Sequence, residues 1–324
     1  MQINSVVIHE IIKESNTTQA EAYLSNELLD IDNENIVKII NSLEGSFAKR
    51  NLKRAKFLTT GFKREINDFS NFSILDISRT LTEKLKSNIQ GISPAKGGYF
   101  IFTEFEINHK FLAVFLVRNT DGNKLIQSGG GGWDVNSTQY LDIDHFAMGV
   151  KINLSLLNND SDQRYISLVK GKQEISDYFE TWIGIDDIKQ ENIDANALYD
   201  ISNQIELPAN MTRDTFKKRI FEYAKSHPSH TINLRELSGF LYDGDEDRIP
   251  TYCQDNDIDI DGEFKLKGNN LKKFYKISVS VNEIDLSAPR SFFNPDTIVI
   301  SNDTVIIHSP DLARALEDNL NENE

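Results

Sequence analysis

The first 185 residues show hydrophobic patterns typical of both strands and helices. Residues 3–13 are rich in β-branched and apolar side chains, which predicts an opening strand. Residues 35–48 place their apolar side chains on one helical stripe, and residues 76–90 repeat an apolar side chain every four positions, so both segments predict helices. The stripe of the first helix consists of Ile36, Ile39, Ile40, Leu43 and Phe47.

Two neighbouring segments, Gly98–Ile107 and Lys110–Arg118, are the most apolar strands of the chain. Asn108 and His109 separate them as a hairpin tip, and we expect this hairpin at the centre of the sheet. Residues 150–155 alternate between apolar and polar side chains, which predicts a half-buried strand. A short strand at 164–169 and a helix around 175–183 with one heavily apolar face complete this half.

Beyond about residue 185 the patterns favour helices, which we expect at 188–205, 213–226 and 232–242. An acidic loop at 243–263 and a β-rich piece at 264–308 follow, and the latter includes a hairpin of residues 297–300 and 304–307. Ser309 and Pro310 are typical of a helix start and predict a last helix.

Strands and helices mix without regular β-α-β alternation, which favours an α+β fold over a doubly wound α/β fold. The change of character, with a net charge of −5 over residues 186–206, indicates a domain boundary there. We therefore expect two domains. Residues 1–190 would hold a mixed or antiparallel sheet with packed helices, and residues 191–324 would be helical with a small antiparallel β part.

Composition places the chain among ordinary globular proteins, with 324 residues, 39% hydrophobic residues and a formal charge of −15. No apolar run approaches the ~20 residues that span a bilayer, and the first residues do not resemble a signal peptide. Cys253 is the single cysteine, so an internal disulfide is excluded, and no cysteine–histidine metal spacing is present. We expect a cytoplasmic protein without a metal or cofactor.

Charge along the chain is segregated. Seven basic residues and no acidic one lie between Glu44 and Glu65, and we call this stretch the basic segment. Although a net-negative protein is repelled by DNA, salt screens that repulsion beyond about 10 Å, and a dense basic face still binds phosphate locally. The alternative is a solvated helix end and loop. The members of the basic segment are Lys49, Arg50, Lys53, Arg54, Lys56, Lys63 and Arg64.

A second candidate phosphate site surrounds the predicted turn at Gly171. Arg164, Lys170 and Lys172 flank this turn, and a helix beginning near Gln173 would point its first amide groups at a phosphate. The alternative is that Gly171 only permits a tight turn while the lysines face water.

Three segments in order resemble one known family. They are Ile3-Asn4 through Ile8-His9 and Ile11-Ile12-Lys13; Tyr140–His145 running into Val150–Leu154; and Arg164-Tyr165 with Leu168, Lys170-Gly171 and Tyr178-Phe179. Their order and spacing, over most of residues 1–185, are similar to those of the bacterial nucleoid-associated proteins of the NdpA (YejK) family. The resemblance implies a cytoplasmic bacterial protein that associates with the nucleoid, binds DNA and dimerises. It supplies no catalytic residues.

An enzymatic alternative centres on Asp142, Asp144 and His145. Two carboxylates and an imidazole are ligands suited to a divalent metal for phosphodiester cleavage, and Asp142 and Asp144 would share one side of a strand. One short carboxylate pair is not a nuclease motif, and a buried polar network with turn-capping aspartates is the competing interpretation.

Two further charged runs lie in the second half. Acidic residues alternate with other residue types from Asp255 to Glu263, and we expect a surface acidic loop; the alternative is a mimic of DNA phosphates that occupies a basic groove in trans or in cis. Residues 264–281 contain five lysines and no acid, which fits either an arm on DNA or a protected strand edge. The lysines are Lys265, Lys267, Lys272, Lys273 and Lys276.

These patterns lead us to predict a dimeric, nucleoid-associated DNA-binding protein that contacts phosphates with weak sequence preference. Two alternatives stay open: a metal-dependent nuclease, for example in defence against phage, and an acidic interaction module for a DNA-processing protein.

Overall fold

The computed structural model describes residues 1–66, 68–129, 131–159, 163–169, 173–186 and 191–321, with the backbone alone at 173–177, 191 and 278. The strands of the first half are β1 (Gln2–Ile12), β2 (Glu21–Tyr23), β3 (Leu52–Phe57), β4 (Gly98–Glu106), β5 (Lys110–Val117), β6 (Asn119–Gln127), β7 (Trp133–Leu141), β8 (Met148–Asn153), β9 (Ile166–Val169) and β10 (Ile185–Asp186). Its helices are α1 (Glu34–Ala48), α2 (Phe62–Glu65), α3 (Ile74–Gln90), α4 (Leu154–Asn158) and α5 (Gln173–Ile183).

Eight of these strands form one antiparallel sheet in the order β10-β3-β9-β8-β5-β4-β1-β2, while β6 and β7 form a separate hairpin. The predicted hairpin of β4 and β5 is confirmed, with register from Tyr99 opposite Val117 to Glu106 opposite Lys110. Strand β5 is one of the two central strands, as its apolar sequence indicates. The α+β class is therefore confirmed.

Helices cover both faces of the sheet. The core on one face includes Leu81 and Leu85 of α3 and Trp182 of α5, and the Trp182 indole donates a hydrogen bond of 2.8 Å to the Leu81 carbonyl. The core on the other face includes Leu43 and Phe47 of α1. The two predicted long helices are confirmed as α1 and α3. The side chains of Asn33 and Ser73 cap their first turns by accepting backbone amides.

The prediction of a half-buried strand at 150–155 is wrong, because every residue of β8 is buried. The polar alternation is misleading at Lys151, whose ammonium lies 2.5 Å from the Glu44 carboxylate of α1. The ion pair compensates the buried charge of Lys151, although the sequence pattern predicts that this side of the strand faces solvent.

The second half begins with three helices around short strands. Its elements are α6 (Glu191–Gln204), α7 (Arg213–Ser226), β11 (Thr231–Asn233), α8 (Leu234–Leu241), α9 (Arg248–Asp255), β12 (Glu263–Lys265), α10 (Gly268–Lys272), β13 (Lys276–Val281), β14 (Ile284–Pro289), β15 (Ile298–Ser301), β16 (Thr304–Ile307) and α11 (Pro310–Asn321). The hairpin β15–β16 and the last helix are confirmed, and the Ser309 hydroxyl accepts the amide of Leu312 at 3.3 Å. The predicted acidic loop instead contains α9.

A third hydrophobic core lies within residues 195–274, whereas the other two draw on residues 3–185. This separation supports a boundary near residue 190, although the division at 190/191 stays a prediction. Among the described helices, none is long and apolar enough to cross a bilayer.

A buried cluster of charges joins the two halves, and we call it the arginine–aspartate joint: Arg54, Arg164, Asp194, Asp259 and Asp261. The guanidinium of Arg164 lies 2.6 Å from Asp194, 2.7 Å from Asp259 and 3.0 Å from Asp261, and its side chain is only 3% exposed. The backbone amide of Arg54 donates to Asp261 Oδ1 at 2.7 Å. The expected surface acidic loop is therefore wrong for Asp259 and Asp261, which contact arginines in cis.

Gly262 brings the two backbones together beside this joint. Its amide donates to the Leu52 carbonyl at 2.6 Å. A Cβ at this position would lie 2.7 Å from the Asn51 Cα and from the Leu52 nitrogen, which are backbone atoms. Only glycine permits this approach without displacing one of the chains.

The joint predicts the effect of replacing Arg164. Arg164→Met would leave three partly or fully buried carboxylates without their cation, so we expect the free energy of unfolding to fall by about 3–5 kcal/mol. Urea denaturation measures this loss. Arg314→Met is the control, because the Arg314 side chain is 73% exposed and its replacement is expected to change stability by less than about 0.5 kcal/mol. Equal stability of the Arg164 and Arg314 variants would contradict a structural role for the joint.

Burial raises the pKa of Asp261 from 3.8 to about 6. A carboxyl that holds its proton more tightly in the folded state stabilises the fold below its unfolded pKa, and this contribution is lost as pH rises through the folded pKa. Asp261→Asn resembles the neutral form at every pH. We therefore expect the melting temperature of this variant, relative to wild type, to rise between about pH 4 and pH 7, by the equivalent of at most about 3 kcal/mol, and to change little above pH 7.

Thermal melts of both proteins across this pH range test the expectation. Asp311→Asn is the matched control, since it removes the same charge from a side chain that is 97% exposed. A difference for Asp261→Asn that stays constant or shrinks with rising pH would show that this carboxyl is not held partly protonated.

Candidate nucleic-acid interface

The basic segment does not form one surface, because β3 separates its two ends. Lys49 follows the end of α1, and Lys63 and Arg64 lie on α2, on either side of this strand. A six-residue strand spans about 17 Å. The cations that are contiguous in the sequence are thus distributed along an extended element instead of gathered in a patch.

The middle members of the basic segment serve the fold. Lys53 Nζ lies 2.9 Å from Glu180 Oε2 of α5, and both side chains are at most 20% exposed. Arg54 Nη1 donates to Ser167 Oγ at 2.6 Å, and burial lowers the pKa of this guanidinium. Arg54 Nε is buried without a partner among the described residues. Arg54 is thus half-buried, and its guanidinium is engaged inside the fold.

The outer members remain more accessible. Lys49 and Lys63 are exposed, and the Arg64 side chain is 67% exposed although its Nε lies 2.9 Å from Glu65. Arg50 is half-buried: its Nη2 donates to the Asp144 carbonyl at 2.8 Å, and its guanidinium lies over the Phe146 ring. Lys56 is also half-buried.

The second predicted phosphate site is only partly described. Lys170, Gly171 and Lys172 lie outside the described residues. Arg164, the third cation of this site, is enclosed by the three aspartates of the joint. Arg164 is therefore not available to phosphate, because its charge is neutralised inside the protein, and the Arg54 guanidinium is held by the Ser167 hydroxyl. The alternation of Asp259 and Asp261 with isoleucines is the sequence signal for these contacts, because it is typical of a chain with one buried face. It does not identify Arg164 as the partner.

The lysines of residues 264–281 are the more accessible cations. Lys265, Lys267, Lys272 and Lys273 are exposed on β12, on α10 and in the loops that flank α10. Within the described residues, neither Lys265 nor Lys272 has a carboxylate within ion-pair distance. Lys273 Nζ donates to the Asn196 side chain at 2.7 Å, a neutral partner that leaves its charge uncompensated.

Aromatic side chains lie beside these lysines. The rings of Phe221 on α7 and Tyr275 are 4.3 Å apart, and both residues are half-buried. Lys225 lies over the Phe221 ring and Lys276 over the Tyr275 ring, each at 5.6 Å from the centroid. Sequence reasoning missed this pairing, because 54 positions separate the two rings in the chain. We define Lys265, Lys267, Lys272, Lys273, Lys276 and Lys225 as the lysine surface.

The candidate metal site has the geometry of a turn. Asp142, Asp144 and His145 lie in the loop between β7 and β8, not on a strand. Asp142 Oδ1 accepts the His145 amide at 3.2 Å and lies 3.0 Å from the ring Nδ1, which is the turn-capping arrangement. Ser46 Oγ donates to Asp144 at 3.4 Å. Across the described ranges, no group of three or more histidine, cysteine or acidic side chains is arranged to hold a metal ion.

Comparison with known proteins gives one consistent result. The sequence model of a family described as nucleoid-associated protein YejK matches residues 7–312. A nucleoid-associated protein of Haemophilus influenzae strain Rd is 25% identical over 309 residues, covering 90% of this chain and 89% of that protein. One from Vibrio vulnificus strain YJ016 is 24% identical over 254 residues, covering 74% of each chain.

A third relative, a nucleoid-associated protein of Actinobacillus pleuropneumoniae serotype 5b, is 25% identical over 314 residues, covering 92% of this chain and 90% of that protein. These alignments extend well beyond residue 185, where the motif resemblance ends. The match of the family model covers both halves of the fold and the lysine surface. The resemblance inferred from three short motifs is thus confirmed, and the chain belongs to the YejK family of nucleoid-associated proteins.

Proposed function

We propose that this nucleoid-associated protein binds DNA through phosphate contacts made by the lysine surface, and that it does so as a dimer. One observation carries the choice of surface. The lysines of residues 264–281 are mostly exposed, whereas Lys53 and Arg164 are held by carboxylates and the half-buried Arg54 donates to Ser167.

The net charge of −15 does not prevent such binding. Long-range repulsion between the protein and DNA is screened over about 8–10 Å at physiological ionic strength. Each lysine that contacts a phosphate releases condensed counterions, and this gain depends on local charge only. Phosphate contacts carry no base information, so we expect weak sequence preference.

Exposed cations of the first half add to this surface only at the margin. Lys49 and Lys63 lie at opposite ends of β3, and the intervening Lys53 and Arg54 contact Glu180 and Ser167, so this half offers separate cations and no dense patch. Dimerisation supplies the remaining affinity, because two linked lysine surfaces raise the effective concentration of the second contact.

Reversing two lysines tests the surface. Lys265→Glu together with Lys272→Glu should weaken binding to all DNA sequences alike, by about tenfold or more. It should also flatten the plot of log affinity against log salt by about 2, since each lost phosphate contact contributes about 0.9 to this slope. Fluorescence anisotropy with labelled double- and single-stranded DNA over a salt series gives both quantities.

The matched control is Lys38→Glu with Arg314→Glu, which changes the net charge equally at side chains that are 71% and 73% exposed. This control reports the long-range repulsion alone and should leave the salt slope nearly unchanged. A control that loses as much affinity as the lysine variant would overturn the proposed surface. A second variant, Lys49→Glu with Lys63→Glu, tests the basic segment. A larger loss of DNA affinity in this variant than in the lysine variant would also overturn the proposed surface and would place the DNA contact on the basic segment.

A further inference from the structure

The hairpin β13–β14 has one apolar face, and the tip of this face is exposed to solvent. Its register places Ile277 opposite Ala288, Val279 opposite Leu286 and Val281 opposite Ile284, and alternate residues point to the same face. Near the base of the hairpin this face is covered, since Ala288 is 7% exposed. Towards the tip Val279, Val281 and Ile284 are 52%, 58% and 72% exposed. The intervening positions are mostly serine, lysine and aspartate, so the alternation is that of a half-buried strand pair whose cover is missing.

The last helix, α11, also has an exposed apolar face. Leu312, Leu316 and Leu320 follow at four-residue intervals and form one stripe along α11. Every residue of α11 is exposed, and the three leucines are 44%, 57% and 72% exposed. A helix of 12 residues is marginal in water by itself, so its stability depends on packing of the apolar stripe.

Between these two elements the hairpin β15–β16 is also apolar and uncovered. Ile300, Val305, Ile306 and Ile307 are 66%, 52%, 48% and 39% exposed. Within the described chain its two strands pair only with each other. An isolated two-stranded hairpin is at best marginally stable in water, so this element also indicates a missing contact.

The exposed apolar area is sufficient for a complete interface. Residues 276–321 contribute 11 of the 25 large hydrophobic side chains that are exposed in the described protein. Side chains of this size, about half exposed, present on the order of 500 Å² in total. A standard interface buries about 800 Å² on each partner, of which about 65% is apolar in homodimers. The segment therefore matches the apolar content of one homodimer interface.

We propose that the exposed apolar faces of residues 277–321 form the surface through which two copies of this chain associate. This proposal rests on the dimer of the proposed function and identifies its interface. A two-fold axis makes one patch complementary to itself, so no second kind of surface is needed. The apolar faces carry no charge, so two acidic chains meet there without juxtaposing like charges. The flanking tail holds five acids against Arg314 over residues 311–324, which disfavours both DNA phosphates and an anionic membrane as the occupant.

The test places charges on the two apolar faces of the full-length chain. Ile284→Glu with Leu316→Glu should raise the dimer dissociation constant by about 100-fold or more, as expected for truncating central apolar contacts. Sedimentation velocity at micromolar concentrations should show twice 36.9 kDa for wild type and 36.9 kDa for the variant. Both positions are exposed in the single chain, so the thermal unfolding of each monomer core should be retained.

The matched control is Ser280→Glu with Arg314→Ala, which changes the net charge by the same −2 on the same hairpin and helix. Ser280 alternates with the apolar positions of β13, and Arg314 points away from the leucine stripe, so this control should remain dimeric. A wild type that is monomeric throughout, for example because α11 folds onto its own hairpin, would overturn both the interface and the dimer. A dimeric Ile284→Glu, Leu316→Glu variant would overturn the interface alone. The lysine variants and their charge-matched control all retain the apolar faces, so the comparison between them tests the DNA-binding surface whichever outcome is found.

Discussion

The contact between Arg164 and three aspartates determines how charge is distributed over this protein. Arg164 belongs to the first half of the chain, and Asp194, Asp259 and Asp261 belong to the second, so the ion cluster is also the joint between the halves. Removing one member of such a buried cluster costs more than forming it gains, because the remaining charges stay buried without compensation. The joint therefore holds the two cores in one arrangement and withdraws two arginines from the surface.

The backbone conformation explains how the acidic segment makes this contact. Residues of an extended chain point alternately to opposite sides. Ile258 and Ile260 pack against the core of the second half, and the intervening Asp259 and Asp261 face the first half. At the same time, Asp257 Oδ2 lies 3.2 Å from His109 Nε2 at the tip of the β4–β5 hairpin. The alternating aspartates, whose pattern suggests a mimic of DNA phosphates, therefore bind side chains of the first half within the same chain. What remains for an external polyanion is the lysine surface.

Much of the fold follows from local patterns, while the site does not. The sheet centre, the long helices and the last hairpin were predictable, because their apolar periodicity matches the face that each buries. The β6–β7 hairpin was missed, since its two strands are polar and exposed on most positions. The burial of Lys151 could not be predicted either, because its partner Glu44 lies 107 residues away. For the same reason, counting cations along residues 49–64 could not separate half-buried Arg54, which contacts Ser167, from exposed Lys63. Exposure depends on contacts between distant parts of the chain.

Arg164 and Arg54 are thus proposed to serve the fold, while the exposed lysines contact DNA. Amine-reactive labelling followed by mass spectrometry, with and without DNA, tests this proposal most directly, because the label reports each lysine separately. DNA should protect Lys265 and Lys272 from labelling, whereas Lys53 should be labelled poorly under both conditions. Protection confined to Lys49 and Lys63, with Lys265 and Lys272 labelled equally in the presence and absence of DNA, would contradict it.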